Sequence, residues 1–581
     1  MLSVKRMARS PLFWAVFAVT AWFSVTFLIL PNVNLLRGIF FPEGKLSLRS
    51  WEKLLGSKLA MDSLRNSVFL AVVLAVAGNV VGIFLVLVTR YFDVKGSRIL
   101  WLGYATNLIY GGIVLVSGYK FVYGPTGLVT KLAQQINPGL DPEWFGGAFA
   151  VCFVMTLSMT GNHLLFLGSA LSKVDYQTIE AAKIMGASEW RILTRIVLPT
   201  LKPMIYALTV LLFLGGLGAL AAPQLLGGKG FQTITPMILT FANAPTSRDL
   251  AATLALVLGA MTVAVLVILN RLEKGGTYFS VSKVPSALQK RKIDNPVANV
   301  LVHVAAYALF VIYMTPPLLV VLYSFTDAAT IATGEITPSS FTLENYVTVL
   351  TDPLASWPFV VSLMYSAGAA AAVIVGIFFI ARICQKYRNP VTAGIEYVLH
   401  IPWILPGTLI ALAMLITFSD PQALVGSQVL SGTVWILGIA YVIGKIPFTF
   451  RIMKAAFTGI NESLEEAASL MGAKETYILR RIILPLVLPA ATAVTALNFN
   501  SMLDDYDTAV FLAHPLYQPL GIFIKNATEG EGSADSTALV FVYAVLLMIL
   551  TGFIMWLVYG KGGDLIRKVR IRNVWTKGGR A

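Results

Sequence analysis

The sequence predicts an all-α polytopic membrane protein of about twelve transmembrane helices, arranged as two parallel six-helix repeats. Three observations predict it. The 581 residues are 57% hydrophobic and only 13% charged, whereas an ordinary soluble chain carries about 25% charged residues. Several apolar runs reach the roughly 20 residues a helix needs to cross a bilayer, where backbone polar groups must be satisfied inside the segment itself. A polar segment occurs twice, once in each half, at a fixed offset of 286 residues.

Taken in order, the apolar run from Leu12 to Leu30 follows Lys5, Arg6 and Arg9. It is longer than a signal-peptide core and no small-residue cleavage site follows, so it is read as an uncleaved first helix. The first half, 1–270, then offers spans near 67–88, 99–118, 147–170, 204–222 and 250–269. A linker, 271–297, carries Gly275, Gly276, Pro285 and Pro296. The second half, 298–559, offers spans near 298–322, 360–382, 393–418, 432–452, 490–508 and 537–559, and a basic tail follows at 560–581.

Arg90, Lys95 and Arg98 fall after the second span, Arg271, Lys274, Lys283, Lys290, Arg291 and Lys292 fall in the linker, and Arg567, Lys568, Arg570 and Arg572 fall in the tail. All lie on one side of the predicted topology. Positive loops stay inside, which places both termini and both repeat copies in the cytoplasm. The same distribution accounts for the net charge of +15 without nucleic acid as a partner. Loops on the other side carry turn or acidic residues, among them Asn137-Pro138-Gly139 and Glu529-Gly530-Glu531-Gly532. Cys152 and Cys384 sit in or beside apolar runs and read as small fillers.

The duplicated segment begins at Glu180-Ala181-Ala182 and Glu466-Ala467-Ala468, reaches Gly186 and Gly472, and runs to Leu198-Pro199 with Pro203 and to Leu484-Pro485 with Pro489. From glutamate to last proline the copies align without a gap, and 14 of 24 positions are identical. Each reads as a helical stretch, a glycine stop that tolerates left-handed dihedrals, a second amphipathic turn, and a Leu-Pro step marking entry into the next span. Such a helix–turn–helix can protrude from the membrane and place a short helix in a groove of another protein. Two ungapped copies in equivalent places favour a shared partner over two interfacial helices covering the bundle ends.

The sequence contains no phosphate-binding loop of its own. That loop needs Gly-Lys followed by Ser or Thr, but Gly228-Lys229, Gly444-Lys445 and Gly560-Lys561 are followed by Gly230, Ile446 and Gly562. An ATP-driven process would need a separate motor subunit.

The Glu-Ala-Ala segment with its glycine and downstream Leu-Pro resembles the EAA loop of permease subunits from bacterial binding-protein-dependent ABC importers. The motif matches in each half, at 176–203 and 462–489, and the span arrangement covers nearly the whole chain. The resemblance implies the type I importer permease fold in the cytoplasmic (inner) membrane. It implies two copies of an ABC ATPase, which would hold ATP and magnesium, and an extracytoplasmic solute-binding protein. By motif position, Glu180, Ala181, Ala182 and Gly186 would form one ATPase dock and Glu466, Ala467, Ala468 and Gly472 the other, the glutamates pairing with basic ATPase residues. Two halves in one chain most resemble the fused permeases of the ferric-iron group, whose relatives carry polyamines, thiamine, phosphonates and sugar phosphates.

Polar residues inside spans are costly in lipid and mark candidate cargo paths. The densest run is Asn498, Asn500, Ser501, Asp504, Asp505, Tyr506 and Asp507. Asp504 lies about 22 Å beyond Pro489 along a helix, towards the external mouth. Offset by 286, the equivalents of Asp504, Asp505 and Asp507 are Gly218, Ala219 and Ala221, so the halves agree at the dock and diverge here. Asn500, Asp504 and Asp505, with Asn162 in span four, are the candidate substrate-path residues; Asp504 and Asp505 would receive a cationic cargo, cap a helix end, sit in a solvated loop, or meet the binding protein. Asn107 is a weaker candidate. His163 and His303 read as bundle residues, and Gly215, Gly216 and Gly218 as sites of close helix approach. Four histidines without paired spacing offer no built-in metal centre.

The competing function is a secondary transporter of the twelve-span facilitator type. Asp93-Val94-Lys95-Gly96-Ser97-Arg98 faintly echoes that family's charged loop. Such a transporter gives no reason for the duplicated segment. No catalytic constellation supports a membrane enzyme.

Overall fold

A computed structural model describes residues 7, 11–172, 174–274, 289–333, 336–530 and 534–559. The basic tail, Lys5, Arg6 and Arg9, linker residues 275–288 and the Glu531-Gly532 end of the acidic loop lie outside the described residues. Among those described, the chain is helical, with pairing outside helices limited to isolated bridges.

Among the described residues, ten helices are long and apolar enough to cross a membrane: Phe13–Phe40, Lys58–Tyr91, Gly147–Leu171, Glu189–Leu217, Arg248–Ile268, Pro296–Tyr323, Pro353–Lys386, Val434–Thr458, Glu475–Leu503 and Asp535–Val558. Two bent pairs bring the number to twelve, matching the predicted spans one for one. The third and ninth spans, expected as continuous, are broken. Ser97–Leu108 meets Gly112–Ile136 at 114°, and Pro390–Ile404 meets Gly407–Thr417 at 100°. The causes are local. Gly111 is extended (φ −147°) and Gly112 left-handed (φ +53°), while Leu405, preceding Pro406, takes the extended conformation (ψ 132°) that proline imposes on its predecessor.

The Leu-Pro steps also differ from expectation. The helices do not start at them; they already run from Glu189 in the fifth span and from Glu475 in the eleventh. Leu198-Pro199 is preceded by a π turn, Leu193–Val197, and Leu484-Pro485 by its counterpart, Leu479–Ile483. Leu30-Pro31 in the first span follows the π turn Ser24–Ile29 in the same way. One extra residue in the turn moves aside the carbonyl that a proline ring would otherwise strike and leave unpaired, so the helix continues.

The chain forms two compact units that do not coincide with the sequence halves. One comprises residues 1–48, 353–523 and 546–581, the other 49–352 and 524–545. In the first unit the opening span packs against second-half helices: Phe27 lies 5.5 Å from Phe418, ring to ring, and the Trp22 indole donates to the Leu424 carbonyl at 3.1 Å. Its core gathers Val373, Phe450, Phe457, Ile483 and Val494, with Phe23 against them. In the second unit the seventh span, Pro296–Tyr323, is received by first-half helices. Tyr104 donates to the Ala306 carbonyl at 2.7 Å, and the hydroxyls of Tyr313 and Thr160 lie 2.6 Å apart.

Two of the three glycines read as sites of close helix approach are such sites, Gly215 against the Met159 side chain and Gly216, whereas Gly218 has only the Leu214 carbonyl of its own turn nearby, at 3.5 Å. A Cβ on Gly216 would stand 2.6 Å from the Ala71 Cα, so the fifth and second spans touch backbone to backbone. His163 is a buried bundle residue, its Nε2 3.3 Å from Asn79 Oδ1. Asn107 donates to the Leu157 carbonyl at 2.8 Å.

Candidate functional site

The two Glu-Ala-Ala segments fold alike, element by element, at the 286 offset. In the first, Asp175 caps the helix Tyr176–Ile184 by accepting from the Gln177 amide at 2.9 Å. In the second, Asn461 caps Glu462–Leu470 by accepting from the Ser463 amide at 3.1 Å. Each ends on a glycine in the left-handed region, Gly186 at φ +80° and Gly472 at φ +84°. Beyond it, the amides of Ala187 and Ala473 donate back to the Ala182 and Ala468 carbonyls at 3.0 Å. This is the Schellman arrangement, and a side chain at the glycine would meet a backbone penalty there, not a steric one.

Each segment exposes an adjacent pair of large apolar side chains just before its glycine. Ile184 and Met185 are 85% and 86% exposed, and their equivalents Leu470 and Met471 are 90% and 88% exposed. The sequence reading weighted the glutamates and missed this pair. Its signal was two adjacent large apolar residues before each glycine, in a segment otherwise polar. Ala181 and Ala467 are exposed beside them, while Ala182 and Ala468 face inward, half-buried.

The glutamates are not equivalent. Glu180 pairs within the chain, 3.2 Å from the Arg291 guanidinium, which also reaches Glu189 at 3.8 Å. Glu466 is exposed, and in its segment the neighbouring Glu465 pairs with Arg382 while Glu475, the counterpart of Glu189, pairs with Lys386 at 2.6 Å.

Of the residues read as a substrate path, Asn500, Asp504 and Asp505 come together at the C-terminal end of the eleventh span. Asn162 belongs to the other compact unit. Asp505 caps a helix end: its carboxylate accepts from the amides of Thr508 at 3.1 Å and Ala509 at 3.2 Å, opening the short helix Ala509–Leu512. Asp504 is half-buried just past the span. Burial, with the charge of Asp505 beside it, pushes its carboxyl up to about 7. Both amide atoms of Asn500 are buried without a hydrogen-bond partner.

The tenth span contributes three residues that the sequence reading did not place here, Thr449, Tyr441 and Lys445. Asn498 donates to the Thr449 hydroxyl at 2.7 Å, which pins the antiparallel register of spans ten and eleven. Two turns before Thr449 in the tenth span, Tyr441 is 3% exposed with its hydroxyl turned towards the Asp505 carboxylate, and Lys445 between them lies within reach of the Asp504 and Asp505 charges. Gly444-Lys445 had been considered only as a failed phosphate loop. At the 286 offset the first half has Met155 and Met159 in place of Tyr441 and Lys445, so the polar patch belongs to the second half alone. Among the described residues no cluster of three His, Cys, Asp or Glu could hold a metal ion.

Two helical repeats with matching broken spans and matching exposed segments define a two-half membrane permease scaffold. The family model described as "Binding-protein-dependent transport system inner membrane component" matches residues 10–274 and 368–560. The chain belongs to this family and is a permease of the ABC importer type. It is 39% identical over 537 residues to "Probable ABC transporter permease protein y4fN" of Sinorhizobium fredii, covering 92% of this chain and 94% of the relative. It is 20% identical over 541 residues to "Ferric transport system permease protein FbpB" of Actinobacillus pleuropneumoniae, 92% of this chain and 76% of that one. It is 30% identical over 198 residues to "Spermidine/putrescine transport system permease protein PotC" of Haemophilus influenzae, 33% of this chain and 73% of that one.

Proposed function

We propose that this permease is driven by two copies of a separate ABC ATPase, docked on Tyr176–Ile184 and Glu462–Leu470 from the cytoplasm, and that it passes a small solute from an extracytoplasmic binding protein inward by alternating access. ATP and magnesium would be held by the ATPase, and this chain would catalyse no bond change. Both termini lie in the cytoplasm in this reading, with the positive loops. The observation that carries the docking is the pair of equivalent, exposed apolar steps, Ile184-Met185 and Leu470-Met471. An apolar patch repeated at a symmetric position and left in water is a surface awaiting a partner.

In the cycle, ATP closes the two motor subunits, their motion carries the docked helices, and the path opens to the loaded binding protein. Hydrolysis reverses the motion. The fifth and eleventh spans transmit it, because each is one continuous helix from the segment at Glu189 or Glu475 to the outer end at Leu217 or Leu503. Asn500, Asp504 and Asp505 lie at the end of that lever in the second half, where carboxylates favour a cation.

Ferric iron is the first candidate cargo, supported by the similarity to the ferric permease. Polyamine is the alternative, supported by the second similarity and the same acidic patch; thiamine, phosphonate and sugar phosphate follow. The test is reconstitution of the chain with its ATPase and binding protein, measuring ATP-dependent uptake of iron and of spermidine. Uptake driven by a proton gradient without any ATPase would overturn the reading in favour of a secondary transporter.

A further inference from the structure

The linker between the sequence halves ends in a contact that neither the motif nor the family comparison assigns. The Arg291 backbone is fixed to the cytoplasmic end of the second span: its amide donates to the Tyr91 carbonyl at 2.8 Å, and its carbonyl accepts from the Asp93 amide at 2.7 Å. Its side chain is 6% exposed and lies between the two helices of the first docking segment, with Glu180 at 3.2 Å and Glu189 at 3.8 Å. Lys183 closes the group, 3.4 Å from Glu189. A planar guanidinium can face two carboxylates at once in a way that an ammonium cannot. Removing it from so buried a place would leave Glu180 without this partner and Glu189 with Lys183 alone.

The second segment is held by the same chemistry from a different source. Arg382 and Lys386, one turn apart at the end of the eighth span, pair with Glu465 and Glu475. In each segment, cations from outside it tie a carboxylate of the first helix to the one that starts the second. That the tie recurs on unrelated parts of the chain argues that the function of the segment needs it.

We propose that Arg291 is a positioning residue for energy coupling: the linker's end sets the angle of the first docking helix against the second and fifth spans, as Arg382 and Lys386 do for the second. The inference rests on the docking reading above. It makes the two docks mechanically unequal, one governed by the linker and the other by the eighth span.

The test uses the full chain in nanodiscs, alone and with its ATPase. Hydrogen exchange is measured in Arg291→Met, in Arg291→Gln (shorter and uncharged but still a hydrogen-bond donor), in Glu180→Gln, and in the double variant Arg291→Met/Glu180→Gln. The expected result is exchange about tenfold faster over 179–187 in either Arg291 variant, with 465–473 unchanged. The double variant should be no faster than Arg291→Met alone. In the assembled complex the ATPase should stay bound while its hydrolysis falls about tenfold, the same free-energy loss read through the coupled step. Unchanged exchange over 179–187 would overturn the clamp. Faster exchange with unchanged hydrolysis would overturn its role in coupling and leave a structural contact. Failure of the wild-type chain to retain any ATPase would overturn the docking reading instead, while the exchange measurement still judges the clamp.

Discussion

Replacing Leu470 and Met471 by serine separates docking from folding. Both side chains are about nine-tenths exposed, at 90% and 88%, so the folded chain loses almost no buried apolar area and its stability should change by less than about 0.5 kcal/mol. If an ATPase covers them, each contributes about 1.5–3 kcal/mol when fully buried. Interfaces return only part of that value, so the pair is assigned about 3 kcal/mol, or roughly 150-fold in affinity. The assay is retention of the ATPase on the purified chain, followed by titration of the ATPase onto nanodisc-embedded permease, with thermal melting of the permease in parallel. The expected result is a melting temperature within a degree or two of wild type and a loss of about 100-fold or more in ATPase affinity. Ile184→Ser with Met185→Ser should behave likewise at the other dock. Wild-type retention after both pairs are replaced would refute the reasoning, because the exposed apolar steps would then have no partner. A large fall in melting temperature would also refute it, since the structure gives these side chains nothing to hold.

Gly186→Ala and Gly472→Ala should each cost about 1–2 kcal/mol, since φ near +80° is the penalty and open space surrounds the added methyl; faster exchange confined to the affected segment would show it. Asp504 gives a pH dependence of defined sign. Its folded carboxyl is raised to about 7, so the folded state disfavours the charged form: the cost is absent below the unfolded value near 4, accumulates between pH 4 and 7, and is complete above 7. Asp504→Asn should therefore match wild type in thermal melting at pH 4 and exceed it at pH 8. A cationic cargo facing Asp504 should bind more weakly below about pH 7 in wild type, with that dependence lost in the variant. Gly216→Ala should destabilise the second unit by about 1–3 kcal/mol, because the methyl would stand 2.6 Å from Ala71 Cα and backbone cannot yield as a side chain can; an unchanged melting temperature would contradict that contact.

The sequence by itself determined the class of molecule and its repeated segments, because those depend on interactions close along the chain. Twelve apolar runs are each long enough to satisfy their own backbone in lipid. The Gly186 and Gly472 stops act within a few residues of the helices they delimit, so they can be read without knowing what lies nearby in space; the Asp175 and Asn461 caps, equally local, came from the structure. Even the broken spans had local signals in Gly111-Gly112 and Pro406-Gly407, though apolarity concealed them. The Leu-Pro steps misled because a π turn lets a helix run through a proline, and nothing in the dipeptide announces that turn.

Tertiary structure decided everything that joins residues far apart. It packed the first span with second-half helices and the seventh with first-half helices, so the compact units cross the linker that divides the sequence. It paired Glu180 with Arg291 across 111 residues, where the motif alone suggested a carboxylate left free for a partner. It gave Asp505 a capping role and set Tyr441 and Lys445 beside Asp504 through the register pinned by Thr449 and Asn498. The physical reason is the same in each case: an ion pair or a buried polar contact falls off within a few ångströms, and only the folded chain specifies which distant side chains come that close.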